Sequence, residues 1–448
     1  MLFSSLAYAL LVFAARTLSR WTRRPGFVLL LGSVVFYVVA GPVDSAIFFG
    51  AVLLNWGVQY VTPPNRIRIL LAVLLNIGLL AFFKYKGIFL GETAGSFIDI
   101  ALPLGISFYS FQALAYHIDV VRGDTRPARS LLSFALFKGF FPQLVAGPIV
   151  RAKELLPQVE AAVDGYIRKH PLVSWGLLLC LMGLVKKVIL ADSLSPFVDE
   201  IFQQHPGDTY TAWLGALLFA FQIYFDFSGY SDIALGSAYL LGFRLPVNFR
   251  TPYVSLGPRE FWRRWHVTLS RWIQDYLYIP LGGSRGSALR TAMVLVMTMS
   301  LAGLWHGANA TFVIWGLGWG LYILCGRLAG QRFVLPWPLR WTGHIALVTV
   351  LWVFFRSPSI SYAFDYVAVM FGFPSDGSTA SQFPPVAAIG VAALFLLHWF
   401  EARCNTRRTL FALRRLNTPF FWGLNICLAV LIILVPLNNE NPFIYFRF

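Results

Sequence analysis

Charge is what this sequence has least of. Only 12% of its 448 residues are Asp, Glu, Lys or Arg, against about 25% in a soluble globular chain, and this excludes a single water-soluble domain. Cysteine is scarce as well. Cys180, Cys325, Cys404 and Cys427 stand far apart with no CxxC pair, so neither a disulfide framework nor a zinc site is written in the chain. No HExxH, no GxxxxGK[ST] phosphate loop and no Rossmann glycine fingerprint occurs, which removes the commonest metal and nucleotide sites. No internal repeat is visible either, so the paired broken helices of many transporters are not expected.

What the chain has instead is hydrophobicity, 57% of its residues, and 17% aromatics. Apolar segments recur from 1–15 to 420–437, several of them only 11–15 residues long. A membrane span needs about 20 apolar residues. We therefore expect an all-α polytopic membrane protein of ten or eleven spans, the short pieces forming re-entrant or interfacial helices. Irregular backbone at membrane depth survives only inside protein or along a cavity. The shortest, most Gly- and Pro-interrupted pieces fall between residues 100 and 320, which is where a cavity is expected.

The formal net charge of +16 is carried by arginines between apolar runs. That pattern fits cytoplasmic loops facing anionic lipid, and no nucleic-acid recognition motif accompanies it. Arg16, Arg20, Arg23 and Arg24 follow the first apolar run, so the N-terminus reads as a first span with its start outside and not as a signal peptide. Arg403, Arg407, Arg408, Arg414 and Arg415 form a cytoplasmic run, and one further apolar segment places the tail NNENPFIYFRF, with Tyr445, at the outer face. An aromatic anchor is the ordinary role of such a tail.

Two regions carry candidate chemistry. In GLWHGANATF, His306 lies in an otherwise apolar stretch between Trp305 and Gly307. An ionisable group there is costly and functional by default, and imidazole is the best general base near neutral pH. The sequon at Asn309 lies within the same apolar run and reads as accidental. The second region is 225–286. Asp226 and Asp232 sit among apolar residues and need partners, and Arg250, Arg259, Arg263, Arg264 and Arg271 are near enough in sequence to form a structural polar network with them. Pro252, Pro258 and Pro280 break the region into short helices, read as an amphipathic set with Trp262, Trp265 and Trp272 at headgroup level. If FWRRWH is one helix, Trp262 shares a face with His266, and Arg259 with Arg263. Arg263, Arg264, Trp262 and Trp265 then make a cationic aromatic surface able to dock an anionic donor such as a phosphopantetheine arm; lipid-headgroup binding is the equal alternative. His117, His170, His205, His344 and His398 have no motif around them and read as packing or surface residues.

At this point the motifs become recognisable. FKYKGIF (83–89), LPLGISFYSFQALAYHIDVVRGD (102–124), FFPQLVAGPIVR (140–151), the FDFSGYSD block, FWRRWHVTLSRWIQDYLYIPLGG and GLWHGANATFVIWG (303–316) together resemble the membrane-bound O-acyltransferase family, in particular its bacterial alginate-acetylating and teichoic-acid D-alanylating branch. The resemblance implies a ring of helices around a thin central funnel and tunnel, in one integral-membrane domain over 1–448. Core motifs would occupy about 40–330, scaffold helices 340–437 and an extracytoplasmic tail 438–448. It further implies that His306 is the catalytic histidine and His266 the second histidine of the branch. PFIYFRF resembles the branch's aromatic C-terminal motif, so Tyr445 is expected either to carry the acyl group as an ester or to act as an anchor.

The activity implied is transfer of an acyl group, most simply acetyl, from a cytoplasmic thioester donor (acetyl-CoA or an acyl-carrier protein) across a bacterial inner membrane to an exopolysaccharide such as alginate. A periplasmic acyltransferase partner is expected, with no bound cofactor, metal or nucleic acid. D-alanyl transfer to a cell-envelope polymer from a carrier protein is the alternative, and transport a remote one.

Overall fold

The computed structural model describes residues 3–90, 102–144, 147–167, 173–329, 335–373, 383–413 and 419–434. Among these every regular element is a helix. Among the described residues seven helices are long and apolar enough to cross a membrane: Arg66–Lys86, Val173–Gln204, Thr209–Leu241, Ala288–His306, Ala310–Leu328, Trp337–Arg356 and Val386–Arg403. Three shorter apolar helices, Pro25–Ala40, Ile360–Met370 and Pro419–Leu434, fall below that length; sixteen residues rise only about 24 Å, short of a roughly 30 Å hydrocarbon layer. Hydropathy alone does not tell these from spans. Burial separates the long helices further. In Val386–Arg403 only 11% of the apolar window is buried, with Leu396 and Phe400 exposed, the surface a lipid-facing helix presents. In Thr209–Leu241, 89% is buried.

Contacts divide the chain into two compact units, 1–184 with 229–247 and 185–228 with 248–448. The first is built on Leu6–Trp21, Pro25–Ala40, Pro42–Val61, Arg66–Leu90, Ile106–Arg122, Leu131–Gly139 and Ala152–Val163. Its core is aromatic: Tyr37 stacks on Phe48 at 4.0 Å, and Tyr109 meets Phe48 edge-on. Three of its buried polar side chains pair with one another. Asn55 and Asn76 exchange amide hydrogen bonds of 3.2 and 2.8 Å, and His117 Nε2 lies 3.2 Å from Asn55 Oδ1. This satisfies groups that the membrane would leave without water.

The second unit holds both candidate histidines and the arginine- and tryptophan-rich block. Here a π-helical stretch, Val185–Ala191, carries Lys187, whose ammonium bridges Asp226 and Asp192 at 2.7 Å each. Asp226 was expected to meet arginine, and its ion-pair partner is this lysine. The extra residue per turn in a π segment rotates side chains relative to an α-helix, a register that sequence spacing does not reveal. Arg250 is exposed, its backbone tied to Arg264. Asp232, buried, belongs to the first unit.

The hairpin of Ala288–His306 and Ala310–Ala329 is packed backbone to backbone. Ser287 caps the first helix through Arg290 N–H; Asn309 caps the second through Thr311 N–H while donating to Pro358 O at 2.6 Å. That capping is the work the apparent sequon does. Glycine makes the close approach possible: a Cβ at Gly303 would lie 2.1 Å from Phe312 O, and one at Gly316 2.2 Å from Met299 O.

Candidate active site

His306 is the last residue of Ala288–His306, is 7% exposed, and sits in an aromatic cage. Trp305, Trp315 and Phe355 meet its ring at 4.8, 5.1 and 5.1 Å, all steeply inclined. Edge-to-face packing of this kind fixes the ring plane and excludes water, which strengthens whatever electrostatics the imidazole takes part in.

His266 caps the short helix Val267–Ile273 from a left-handed backbone, φ +40. It is 1% exposed, wedged edge-on against Phe227 at 4.7 Å and near Phe249. Its Nδ1 lies 3.0 Å from Asn248 Oδ1. Burial pushes its pKa down to about 3, opposed by its own backbone carbonyl, so the ring is neutral at physiological pH. The expected Trp262–His266 helix face does not form. The helix Pro258–Trp262 ends before Arg263, and the left-handed residue at 266 restarts the chain in another direction.

A cavity of about 750 Å³ opens beside these elements, lined by Arg259, Trp262 and Arg263, by Ser270, Ile273, Gln274, Tyr278 and Ser284, by Leu295, Thr298 and Met299, and by Ile323 and Arg327. Among the described residues three guanidinium groups and no carboxylate line it, so it favours an anion; its apolar wall and size suit a small-molecule site. Met299 lies two turns, about 11 Å, before His306 on the same helix, and Trp262 on the cavity wall touches Trp315 of the His306 cage at 5.9 Å. Neither histidine lines the cavity.

A family model described as MBOAT, membrane-bound O-acyltransferase family, matches residues 95–367, a span that takes in the cavity and both histidines. The chain belongs to the membrane-bound O-acyltransferase family. Among curated members, it is 40% identical over 373 residues to the probable alginate O-acetylase AlgI of Pseudomonas aeruginosa, covering 78% of this chain and 70% of that one. It is 34% identical over 390 residues to the peptidoglycan O-acetyltransferase of Helicobacter pylori, with 78% and 74% covered. It is 27% identical over 264 residues to the teichoic acid D-alanyltransferase of Bacillus subtilis, with 55% and 65% covered. This MBOAT chain is therefore a multi-pass membrane protein and an O-acyltransferase.

Within the MBOAT frame, the expected donor-binding residues separate into two pairs. Trp262 and Arg263 line the cavity. Arg264 instead holds Glu260 at 2.8 Å and the Arg250 carbonyl. Trp265 is buried between Phe261, stacked at 5.7 Å, and Trp352 at 4.9 Å, and Trp272 is buried against Tyr276; neither is a headgroup anchor. Arg327 and the cage residues Trp315 and Phe355 were not singled out from sequence. They come from later helices, and no local pattern marks them. Asn248 was missed for the same reason, lying 18 residues before its histidine. The remaining histidines of this unit pack: His344 bridges Ser255 and Tyr322, His398 accepts from Tyr253 N–H, and His205 lies edge-on to Tyr362. Tyr445 and His170 lie outside the described residues.

Proposed function

We propose that this O-acyltransferase moves acetyl groups from a cytoplasmic thioester donor to an exopolysaccharide outside the inner membrane, with both termini extracytoplasmic and a periplasmic acyltransferase as partner. Support for acetyl over D-alanyl comes from the relatives: those named for acetylation match 78% of the chain at 34–40% identity, and that named for D-alanylation 55% at 27%. D-alanyl transfer from a carrier protein is the second reading.

In this reading the arginine-lined cavity holds the anionic part of the donor, either acetyl-CoA or an acyl-carrier protein's arm. Arg259, Arg263 and Arg327 bind phosphate, and Trp262 flanks the arm. His306 is the general base. It takes the proton of the Tyr445 hydroxyl, the phenolate oxygen attacks the thioester carbonyl, and the C–S bond breaks. The leaving thiolate regains the proton from the imidazolium, which leaves an acetyl ester on tyrosine. A phenolate is a good leaving group, so the same base chemistry then passes acetyl to an acceptor hydroxyl. His266 acts beside it as a neutral hydrogen-bonding imidazole. The observation that carries the reading is a buried imidazole held by three aromatic rings at the end of a helix whose earlier turns line an arginine-rich cavity. The test is complementation of a strain lacking the gene. Wild type should restore polysaccharide-bound acetate, and His306→Gln should not, although the variant is present in the membrane at normal level. Restored D-alanine ester in place of acetate would favour the second reading, and full acetylation by His306→Gln would refute the first.

A further inference from the structure

Asn248 makes four contacts that all close on one histidine and its two successors. Its side-chain oxygen lies 3.0 Å from His266 Nδ1 and accepts from Thr268 Oγ1 at 2.9 Å and Thr268 N–H at 3.3 Å. Its backbone carbonyl accepts Val267 N–H at 2.9 Å. A peptide N–H can only donate, so the Asn248 atom facing Thr268 is the carbonyl oxygen and not the amide nitrogen. An acceptor 3.0 Å from a ring nitrogen requires a proton on that nitrogen. In a neutral imidazole the other nitrogen then carries the lone pair.

We infer that Asn248 is a positioning residue that locks His266 as the Nδ1–H tautomer and so makes Nε2 the basic nitrogen of the second histidine. The inference rests on the reading of His266 as part of the acyl-transfer machinery. The clamp also explains the strained backbone. A non-glycine residue at φ +40 is costly and persists where its surroundings over-determine it, and the Asn248 contacts to His266, Val267 and Thr268 hold this turn and the start of the helix after it. Asn248 itself is 1% exposed, so the bonds form away from competing water. Asn248 and the rings of Phe227 and Phe249 pack against the imidazole, and none of these three side chains titrates. The ring therefore stays neutral over the working pH range and serves as a fixed acceptor for a hydroxyl proton.

Two substitutions separate positioning from mere packing. Asn248→Ala removes the acceptor, frees the ring to take the other tautomer, and should lower kcat about 100-fold, in the range general-base defects span, with KM for the donor unchanged. Asn248→Asp keeps a side-chain oxygen as acceptor and should restore most of kcat. A carboxylate stabilises imidazolium, so the His266 pKa rises by about 1–3 units, and the acid limb of the kcat profile should move to higher pH by that amount. If Asn248→Ala fails to fold, the Asp variant and nitrogen-15 NMR of histidine-labelled wild type, assigned with His266→Gln, still decide. The NMR should show a protonated Nδ1 and an unprotonated Nε2; a proton on Nε2 overturns the inference. Activity retained in His266→Gln removes the reading of His266 and this inference with it. Activity lost in His266→Gln but kept in both Asn248 variants, with an unmoved pH profile, overturns the positioning role alone.

Discussion

Gly316→Ala adds one carbon atom beside Trp315, whose ring meets the proposed base at 5.1 Å, and the structure says what that carbon meets. Its nearest neighbours would be Met299 O at 2.2 Å, Met299 C at 2.9 Å and Ser300 Cα at 3.0 Å, all backbone, so no rotamer change relieves the clash. Real Cβ contacts begin near 3.0 Å, and the two helices must part by about 0.8 Å. Overpacking of this size costs about 1–3 kcal/mol, while alanine returns up to about 1 kcal/mol of helix propensity. Stability should therefore fall only modestly. Activity should fall far more. Trp315 is the next residue and forms one wall of the His306 cage, and a misplacement near 1 Å can cost about 100-fold in rate. Turnover by purified protein, read beside a thermal unfolding curve in detergent, should show kcat down by about two orders of magnitude with the transition lowered by a few degrees. Gly390→Ala, where the added carbon meets nothing within 4 Å, is the control and should leave both unchanged. Wild-type kcat in Gly316→Ala would refute the claim that backbone packing of this hairpin positions the base.

The adjacent arginines give a sharper contrast than either alone. Arg263→Gln should raise KM for the donor about tenfold, an effect that weakens with added salt, since Arg263 lines the cavity. Arg264→Gln should leave KM unchanged and cost under about 1 kcal/mol, because its pair with Glu260 is partly exposed; initial-rate kinetics on the two variants checks both. Lys187→Met strips the ammonium from buried Asp226 and from Asp192, and loss of one member of a buried pair costs about 3–5 kcal/mol. Its expected result is poor accumulation in the membrane and early unfolding, measured by size-exclusion fluorescence across a temperature series.

Fold class was legible because composition decides it: a chain this apolar, with its arginines gathered between apolar runs, has few alternatives to a helical membrane protein. His306 stood out as a candidate for a related reason, an ionisable residue in an apolar stretch, and the structure places it in an aromatic cage. What escaped the sequence depends on geometry that spacing does not carry. The break between Trp262 and His266 follows from a left-handed residue that is not glycine, so the two were expected on one face. The Asp226–Lys187 pair joins a π-helical turn to a helix some forty residues away, and arginines nearer in sequence drew the expectation instead. Arg263 and Arg264 are indistinguishable as letters. One turns into a cavity and the other onto Glu260, a difference set by where Pro258–Trp262 ends.

Intact-mass analysis of the purified protein after incubation with acetyl-CoA reads the proposed acetyl relay from His306 through Tyr445. Wild type should gain one acetyl-sized increment, lost in Tyr445→Phe and lost in His306→Ala while the latter keeps its unfolding transition. An increment that persists in His306→Ala would contradict the account.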